Sequence, residues 1–308
     1  MLNISFILQG PPKKIAYYSK CLRSISDFFP GSQVVIALDK IIEARNFIEN
    51  ETSSTDLDLE ITYVEYSDPG PVESSSGRNL NLNRQIIGVQ EAIKACNRKY
   101  ICKVRPEIYF ETNELIDYID LMAEKNEFFI IASSITTKDP LVSKEMRYHI
   151  SDWFFFGSNT EISKLYDIPV VKYPNSFLND TGLNMTTENY ITTNLYSRLE
   201  QKEMSSLSED AQENSIDFML KFFLIRDPKE LGFNIQHAPY KFPFGENGMY
   251  SFRGADYDFY FKKKYGKYPE IKSKQILLLI KFKKFFYKVI TWRLIKILIK
   301  IKGLIRFG

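Results

Sequence analysis

The chain has 308 residues, 44% hydrophobic and 26% charged, enough apolar material for one sizeable core or two small ones and too much for a disordered chain. Its formal charge of +3 is unevenly spread: residues 271–308 hold eleven of the 41 Lys and Arg and no Asp or Glu, so the remainder carries 30 basic against 38 acidic residues. A net acidic body argues against nucleic acid as the main partner, and three scattered cysteines, Cys21, Cys96 and Cys102, exclude a disulfide framework or structural zinc site and suit a reducing compartment.

Met1 to Gly10 lacks a basic n-region and a small-residue cleavage site, so it reads as a strand rather than an export signal and the body is expected in the cytoplasm. The apolar run Asn3 to Gln9 ends at Gly10-Pro11-Pro12, the form of a buried strand stopping at a loop. Ile15 to Phe29 carries helical spacing and ends at Pro30-Gly31, after which Gln33 to Leu38 reads as a second strand. Glu43 to Asn50 is helical in pattern, Leu59 to Tyr66 is β-branched and aromatic, and Asp68-Pro69-Gly70-Pro71 breaks the chain. Beyond a Ser/Gly-rich loop, Asn83 is expected to cap a helix from Arg84 to Cys96 with Ile86, Ile87, Gln90 and Ile93 on its buried face. Tyr100 to Val104 follows as a strand, Asn113 as the cap of a helix from Glu114 to Lys125, and Phe128 to Ser134 as a further buried strand. Strands and helices alternating at these lengths predict an α/β fold, a mostly parallel sheet flanked by helices, with ligands beyond the carboxyl ends of its strands.

After Pro140 the pattern changes to an aromatic strand, His149 to Gly157, and two helices, Thr187 to Leu199 and Asp210 to Arg226. Phe233 to His237 is strand-like, and no internal repeat is present.

Six blocks occur in order: Phe6-Ile-Leu-Gln-Gly-Pro11, Cys21-Leu-Arg-Ser-Ile25 with Phe29-Pro30, Asp68-Pro69-Gly70, Asn81-Leu-Asn-Arg-Gln-Ile86, Lys103-Val-Arg105 and Asp152-Trp-Phe-Phe-Phe-Gly157. Across residues 4 to 190 they resemble the WavE-type lipopolysaccharide biosynthesis proteins; residues 200 to 270 and the tail fall outside this resemblance. It implies a GT-A-like fold and transfer of a sugar from a nucleotide-sugar donor to a lipopolysaccharide, capsule or other lipid-linked surface glycan. Two alternatives stay open: a non-catalytic membrane-bound scaffold of a polysaccharide assembly complex, and a sugar nucleotidyltransferase, for which Gly10-Pro-Pro-Lys-Lys14 is a poor phosphate loop.

In GT-A enzymes an arginine opens the helix before a strand ending in Asp-x-Asp, whose carboxylates hold a divalent ion against the donor diphosphate. Arg84 and the segment Tyr100 to Glu107 are similar to that core, but the first acidic position is Arg105 and only Glu107 keeps a carboxylate. Either Mg2+ or Mn2+ binds Glu107 with help from donor phosphate and water, or Lys103 and Arg105 neutralise phosphate directly through their own charge. Gln9, Gly10 and Pro11, with Asn83 and Arg84, complete the expected nucleotide-sugar site: glycine permits close approach and glutamine can read a base edge. Removing the acceptor hydroxyl proton needs a carboxylate, for which Asp152 is the first candidate and Glu188, at the head of a helix, the second. His237 is a further candidate ligand from the last strand, while Trp153 to Phe156 reads as sheet core.

If Lys281 to Arg306 is one helix, Lys281, Lys284, Lys288, Arg293, Lys296, Lys300, Lys302 and Arg306 share one half of its wheel, and only Lys283 falls among the apolar residues opposite. Such frequent charge suits an amphipathic helix in the interface of an anionic membrane rather than one crossing it. The expected organisation is thus a catalytic domain, residues 1–270, with a basic membrane-associating tail, residues 271–308, peripheral on the cytoplasmic face of the inner membrane.

Overall fold

The computed structural model describes residues 3–10, 15–39, 45–46, 48–50, 56–73, 79–124, 128–142, 147–172, 177, 179, 181, 183, 185–209, 212–236 and 252–266. Pro11, His237 and the tail after Glu270 lie outside these residues, as does the expected domain boundary. The chain divides into two compact units, Met1–Arg253 and Gly254–Gly308.

The first unit is built on a seven-stranded sheet. Its strands are β1 (Ile4–Gln9), β2 (Ser32–Leu38), β3 (Leu59–Glu65), β6 (Tyr100–Val104), β8 (Ile130–Ser133), β9 (Phe154–Ser158) and β10 (Phe223–Arg226). Two short pairs stand apart, β4 (Val72–Glu73) with β5 (Asn79–Leu80) and β7 (Ile108–Phe110) with β11 (Phe233–Ile235). The order across the large sheet is β10-β8-β9-β6-β1-β2-β3, with β9 alone antiparallel to its neighbours β6 and β8. The fold is α/β with a mostly parallel central sheet flanked by helices, consistent with the GT-A-like architecture.

Burial explains the continuous apolar runs: every residue of β1, β2, β6, β8 and β10 is buried, whereas the edge strand β3 is only partly covered. On one face, α1 (Ile15–Phe28) and the β7–β11 pair enclose a chain of rings, Phe6, Phe29, Phe110, Phe233 and Phe154, with successive centroids 4.9 to 6.1 Å apart. On the other, α2 (Leu82–Ala95) and α4 (Asn159–Tyr166) cover the sheet, with α3 (Asp117–Glu124), α5 (Thr187–Leu199) and α6 (Gln212–Phe222) completing the unit. In the second unit, α7 (Gly254–Tyr265) ends in Lys262, Lys263 and Lys264, where cations complement the helix dipole, and Gly266 at φ +70° stops it.

Several boundaries differ from expectation. Helix α2 starts at Leu82 behind Asn81, so Asn83 is not its cap; its buried face is Leu82, Asn83, Ile86, Gly88, Val89 and Ala92, leaving Ile87 and Ile93 only partly covered. Asn113 stands at a helix N-terminus without a capping side-chain bond, and the first turn, Glu114–Ile116, is 3-10 before α3 begins. The pattern from Asp210 to Arg226 is not one helix: at Phe223 the apolar run leaves α6 and pairs with β8, because a fully buried strand and a buried helix have the same apolar signature. The strand expected from His149 begins only at Phe154. Helix α4 follows it at once, opened by a reciprocal capping box between Ser158 and Glu161.

Candidate functional site

Strands β1, β2 and β3 run outward in sequence, and β6 then returns to the opposite flank of β1. The connection therefore reverses between β1 and β6, and the crevice beyond their carboxyl ends is where such sheets take ligands. There the chain places Gln9-Gly10 beside Arg105-Pro106-Glu107: a Cβ on Gly10 would sit 2.7 Å from Pro106 Cδ. Gly10 O accepts from Tyr18 Oη at 3.0 Å, and Gln236 Nε2 donates to Pro106 O at 3.2 Å. Because β9 is antiparallel, the segment entering it, residues 147–153, joins the same rim, as does the loop leaving β8.

At the centre lies a buried ion cluster. Asp152 is fully enclosed, and Arg105 Nη2 donates to its Oδ1 and Oδ2 at 2.9 and 2.8 Å. Lys103, also fully enclosed, donates to Asp152 O with its Nζ 3.8 Å from Oδ2. Gln85, in the first turns of α2, donates to Asp152 Oδ2 and accepts from Arg105 Nη2 at 3.1 Å. Trp153 lies under the guanidinium, 4.8 Å from ring centroid to Arg105 Cζ. Burial pushes the Asp152 carboxyl up, but Arg105 and Lys103 outweigh it and hold it below the usual carboxylate range. Burial likewise lowers Lys103, to about 8, against the pull of Asp152.

Glu188, in the first turn of α5, faces this cluster and remains 15% exposed. Burial, with Asp152 adding and Arg105 opposing, raises its carboxyl to about 7. His149 Nε2 lies 3.8 Å from Glu188 Oε2; burial and then nearby Lys138 depress its imidazole to about 4, and its Nδ1 has no hydrogen-bond partner among the described residues. The rim backbone is strained: Thr136 and Tyr148 have φ of 57° and 59°, a region β-branched and bulky residues rarely adopt. Tyr148 is held there by stacking on Tyr196 at 4.6 Å and by hydrogen bonds with Ser215 and Thr192.

The expected residues thus separate into groups. Gln9, Gly10, Lys103, Arg105, Glu107, Asp152 and Glu188 gather around the switch point. Lys103 is enclosed and bound to Asp152, so its charge acts from inside the protein rather than by the direct phosphate contact expected of it. Arg84 is spanned by Asp68, with Nε to Oδ1 at 2.7 Å and Nη2 to Oδ2 at 2.6 Å. This pairing accounts for the Asp68-Pro69-Gly70 block, since Gly70 N also donates to Asp68 Oδ1. Asn83 is a bracket rather than a ligand: its amide donates to Val171 O at 2.9 Å and accepts from Val171 N at 2.8 Å. Phe154, Phe155 and Phe156 are core, as expected of them. Gln85, Trp153 and the pairing of His149 with the expected Glu188 have no separate sequence signal; Gln85 and Trp153 sit inside the blocks that carry the family resemblance.

The divalent ion of the GT-A pattern does not fit these residues. Both Asp152 oxygens are already bound by Arg105 and Gln85, and an ion beside them would face the fixed charges of Arg105 and Lys103. Glu107 is the one carboxylate left on that strand end, and among the described residues no three His, Cys, Asp or Glu are grouped to hold a metal.

The family model described as WavE lipopolysaccharide synthesis matches residues 4–299. The match runs beyond the six blocks, through residues 200–270 and most of the basic tail. No curated protein matches the chain.

Proposed function

The chain belongs to the WavE lipopolysaccharide synthesis family, and on that premise we propose that it is a glycosyltransferase that moves a sugar from a nucleotide-sugar donor to a lipid-linked surface glycan. The observation that carries the reading is the convergence, at the sheet's switch point, of an anchored cation, Arg105, and a carboxyl of raised affinity for protons, Glu188. A transferase of this kind needs both: charge complementarity for the departing diphosphate and a base for the incoming hydroxyl.

In this reading the acceptor oxygen bonds to the anomeric carbon and its proton passes to Glu188. The bond from that carbon to the donor phosphate oxygen breaks, and the electron pair leaves on the nucleoside diphosphate. Glu188 suits the base role better than Asp152, because a base is most effective with a pKa near the working pH, and Asp152 is committed to Arg105 and Lys103. Asp152 then acts as a positioning residue. Gln9 and Gly10, at the mouth of β1, flank the nucleoside, and the tail holds the enzyme peripherally on an anionic membrane, on the cytoplasmic face where nucleotide sugars are used. No helix among the described residues is long and apolar enough to cross a membrane.

The test is nucleotide release by the purified full-length protein across a panel of nucleotide sugars, with a membrane extract supplying the acceptor. One donor should be turned over, and Glu188→Gln should lower the rate by about a hundred-fold or more. Silence across the whole panel sinks the proposal and favours the scaffold.

A further inference from the structure

Arg105 makes all its side-chain hydrogen bonds through one nitrogen. Nη2 serves Asp152 Oδ1, Asp152 Oδ2 and Gln85 Oε1, while Nε and Nη1 bond nothing among the described residues and neither is sealed from solvent. The side chain is 23% exposed, unlike Asp152 and Lys103 behind it at 0%. A guanidinium pinned at Nη2 and on one face by Trp153 therefore keeps unused N–H donors, on Nη1 and Nε, at the rim. Both bidentate edges of a guanidinium include Nη2, so what remains free are single N–H donors on a fixed cation, each able to bind one phosphoryl oxygen.

We infer that the Nη1 and Nε donors of Arg105, held by Asp152, Gln85 and Trp153, bind the diphosphate of the donor, and that Arg105 takes the place of a divalent cation. The inference rests on the glycosyltransferase reading and deepens it. Charge accounting supports it. In formal charge Lys103 and Arg105 balance Asp152 and Glu107, so the cluster carries no net negative charge against a diphosphate when Glu188 is protonated. When the anomeric carbon–oxygen bond breaks, the electron pair lands on the phosphate oxygen that Arg105 faces, with no metal needed to receive it. A fixed, held charge needs no reorganisation as that negative charge develops. Gln85 is the positioning residue: its amide bridges Arg105 and Asp152 and links the angle of the guanidinium to helix α2.

Isothermal titration of the full-length protein with UDP, GDP, CDP and ADP, in EDTA and again with Mg2+ or Mn2+, tests this. At least one nucleotide should bind with the same affinity in both conditions. Arg105→Lys keeps a cation opposite Asp152, so the fold is retained, yet an ammonium committed to Asp152 lacks the outward N–H donors of Nη1 and Nε; diphosphate affinity should fall about ten- to a hundred-fold. Gln85→Leu should lower it less, in the same direction, and the unphosphorylated nucleoside should bind parent and variants alike. Binding that requires the metal, or an equal loss for nucleoside and diphosphate, overturns the inference while leaving the glycosyltransferase reading intact. If no nucleotide binds in either condition, both fall.

Discussion

Asp152 and Arg105 are joined through a single guanidinium nitrogen, with Asp152 fully enclosed and Lys103 enclosed behind it. A buried ion cluster is most sensitive to removal of the member that balances the others, because each remaining charge loses its partner without regaining water. Asp152→Ala strands two cations and should cost about 3 to 5 kcal/mol, enough to threaten folding of a marginally stable domain. Lys103→Met removes one cation and leaves the Arg105–Asp152 pair intact, so its cost should stay near that of one unsatisfied carbonyl, about 1 to 3 kcal/mol. Urea unfolding of both variants checks the order; a Lys103→Met loss exceeding that of Asp152→Ala would show that Asp152 is not the hub.

Gly10 predicts a steric effect at the same rim. A Cβ there meets Pro106 Cδ at 2.7 Å, closer than real Cβ atoms approach, and the pyrrolidine ring cannot swing aside as a flexible side chain would. Gly10→Ala should push the end of β1 away from the end of β6, destabilising the protein by about 1 to 3 kcal/mol and weakening nucleotide binding at the switch point. Gly232 is a control remote in role: at φ +73° and crowded by Thr112, its replacement by Ala should reduce stability through strain. Thermal unfolding and nucleotide titration on both variants separate these outcomes; equal effects on binding would mean that Gly10 has no special place at the site.

How far the sequence discloses this arrangement depends on whether the information is local. Strand β6 was legible to the residue, and β1 and β2 nearly so, because a short buried run between turn residues carries its own boundaries. Strand β10 was hidden because Phe223 to Arg226 continues a helical apolar pattern, and only its pairing with β8 makes it a strand. The Ser158-x-x-Glu161 and Asp227-Pro-x-Glu230 capping boxes were readable by spacing and went unread, with the helix α4 that the first one opens. Of the site, Arg105, Asp152 and Glu188 could be named as residue types suited to the chemistry. That the arginine and the aspartate, 47 positions apart, would neutralise each other follows only from β9 running antiparallel beside β6.

The basic tail leads to a prediction about membranes. If its lysines and arginines share one face, each near an anionic surface contributes about 1 kcal/mol, so binding should rise steeply with anionic lipid and fall with salt. Full-length protein should sediment with vesicles containing phosphatidylglycerol and not with purely zwitterionic ones. Exchanging Lys281, Lys284 and Lys288 together for Gln should lower that binding about a hundred-fold or more. Vesicle binding unchanged by the triple exchange would reject the interfacial role of this face.

The His149–Glu188 pair sets a pH signature that a single titrating group cannot imitate. In the folded protein the imidazole, depressed to about 4, is neutral, and the carboxyl, raised to about 7, keeps its proton. In the unfolded chain, between the ordinary values of 4.5 for Glu and 6.5 for His, the imidazole is charged and the carboxyl ionised. Each state then binds one proton in total, so the pair adds no pH dependence to stability across that window. Glu188→Gln leaves His149 alone: the unfolded state binds the extra proton, and stability is lost as pH falls from 6.5 towards 4. His149→Asn leaves Glu188 alone: the folded state binds the extra proton, and stability is lost as pH rises from 4.5 towards 7. Relative to the parent, the two variants should show slopes of opposite sign approaching about 1.4 kcal/mol per pH unit. Burial is the first cause of both shifts, and neither residue is among the charges that set the other, with Asp152, Arg105 and Lys138 supplying those, so each slope should survive loss of the partner. Urea unfolding at about pH 5 and about pH 6 measures both slopes, and slopes of the same sign in the two variants would contradict the protonation states assigned to the site.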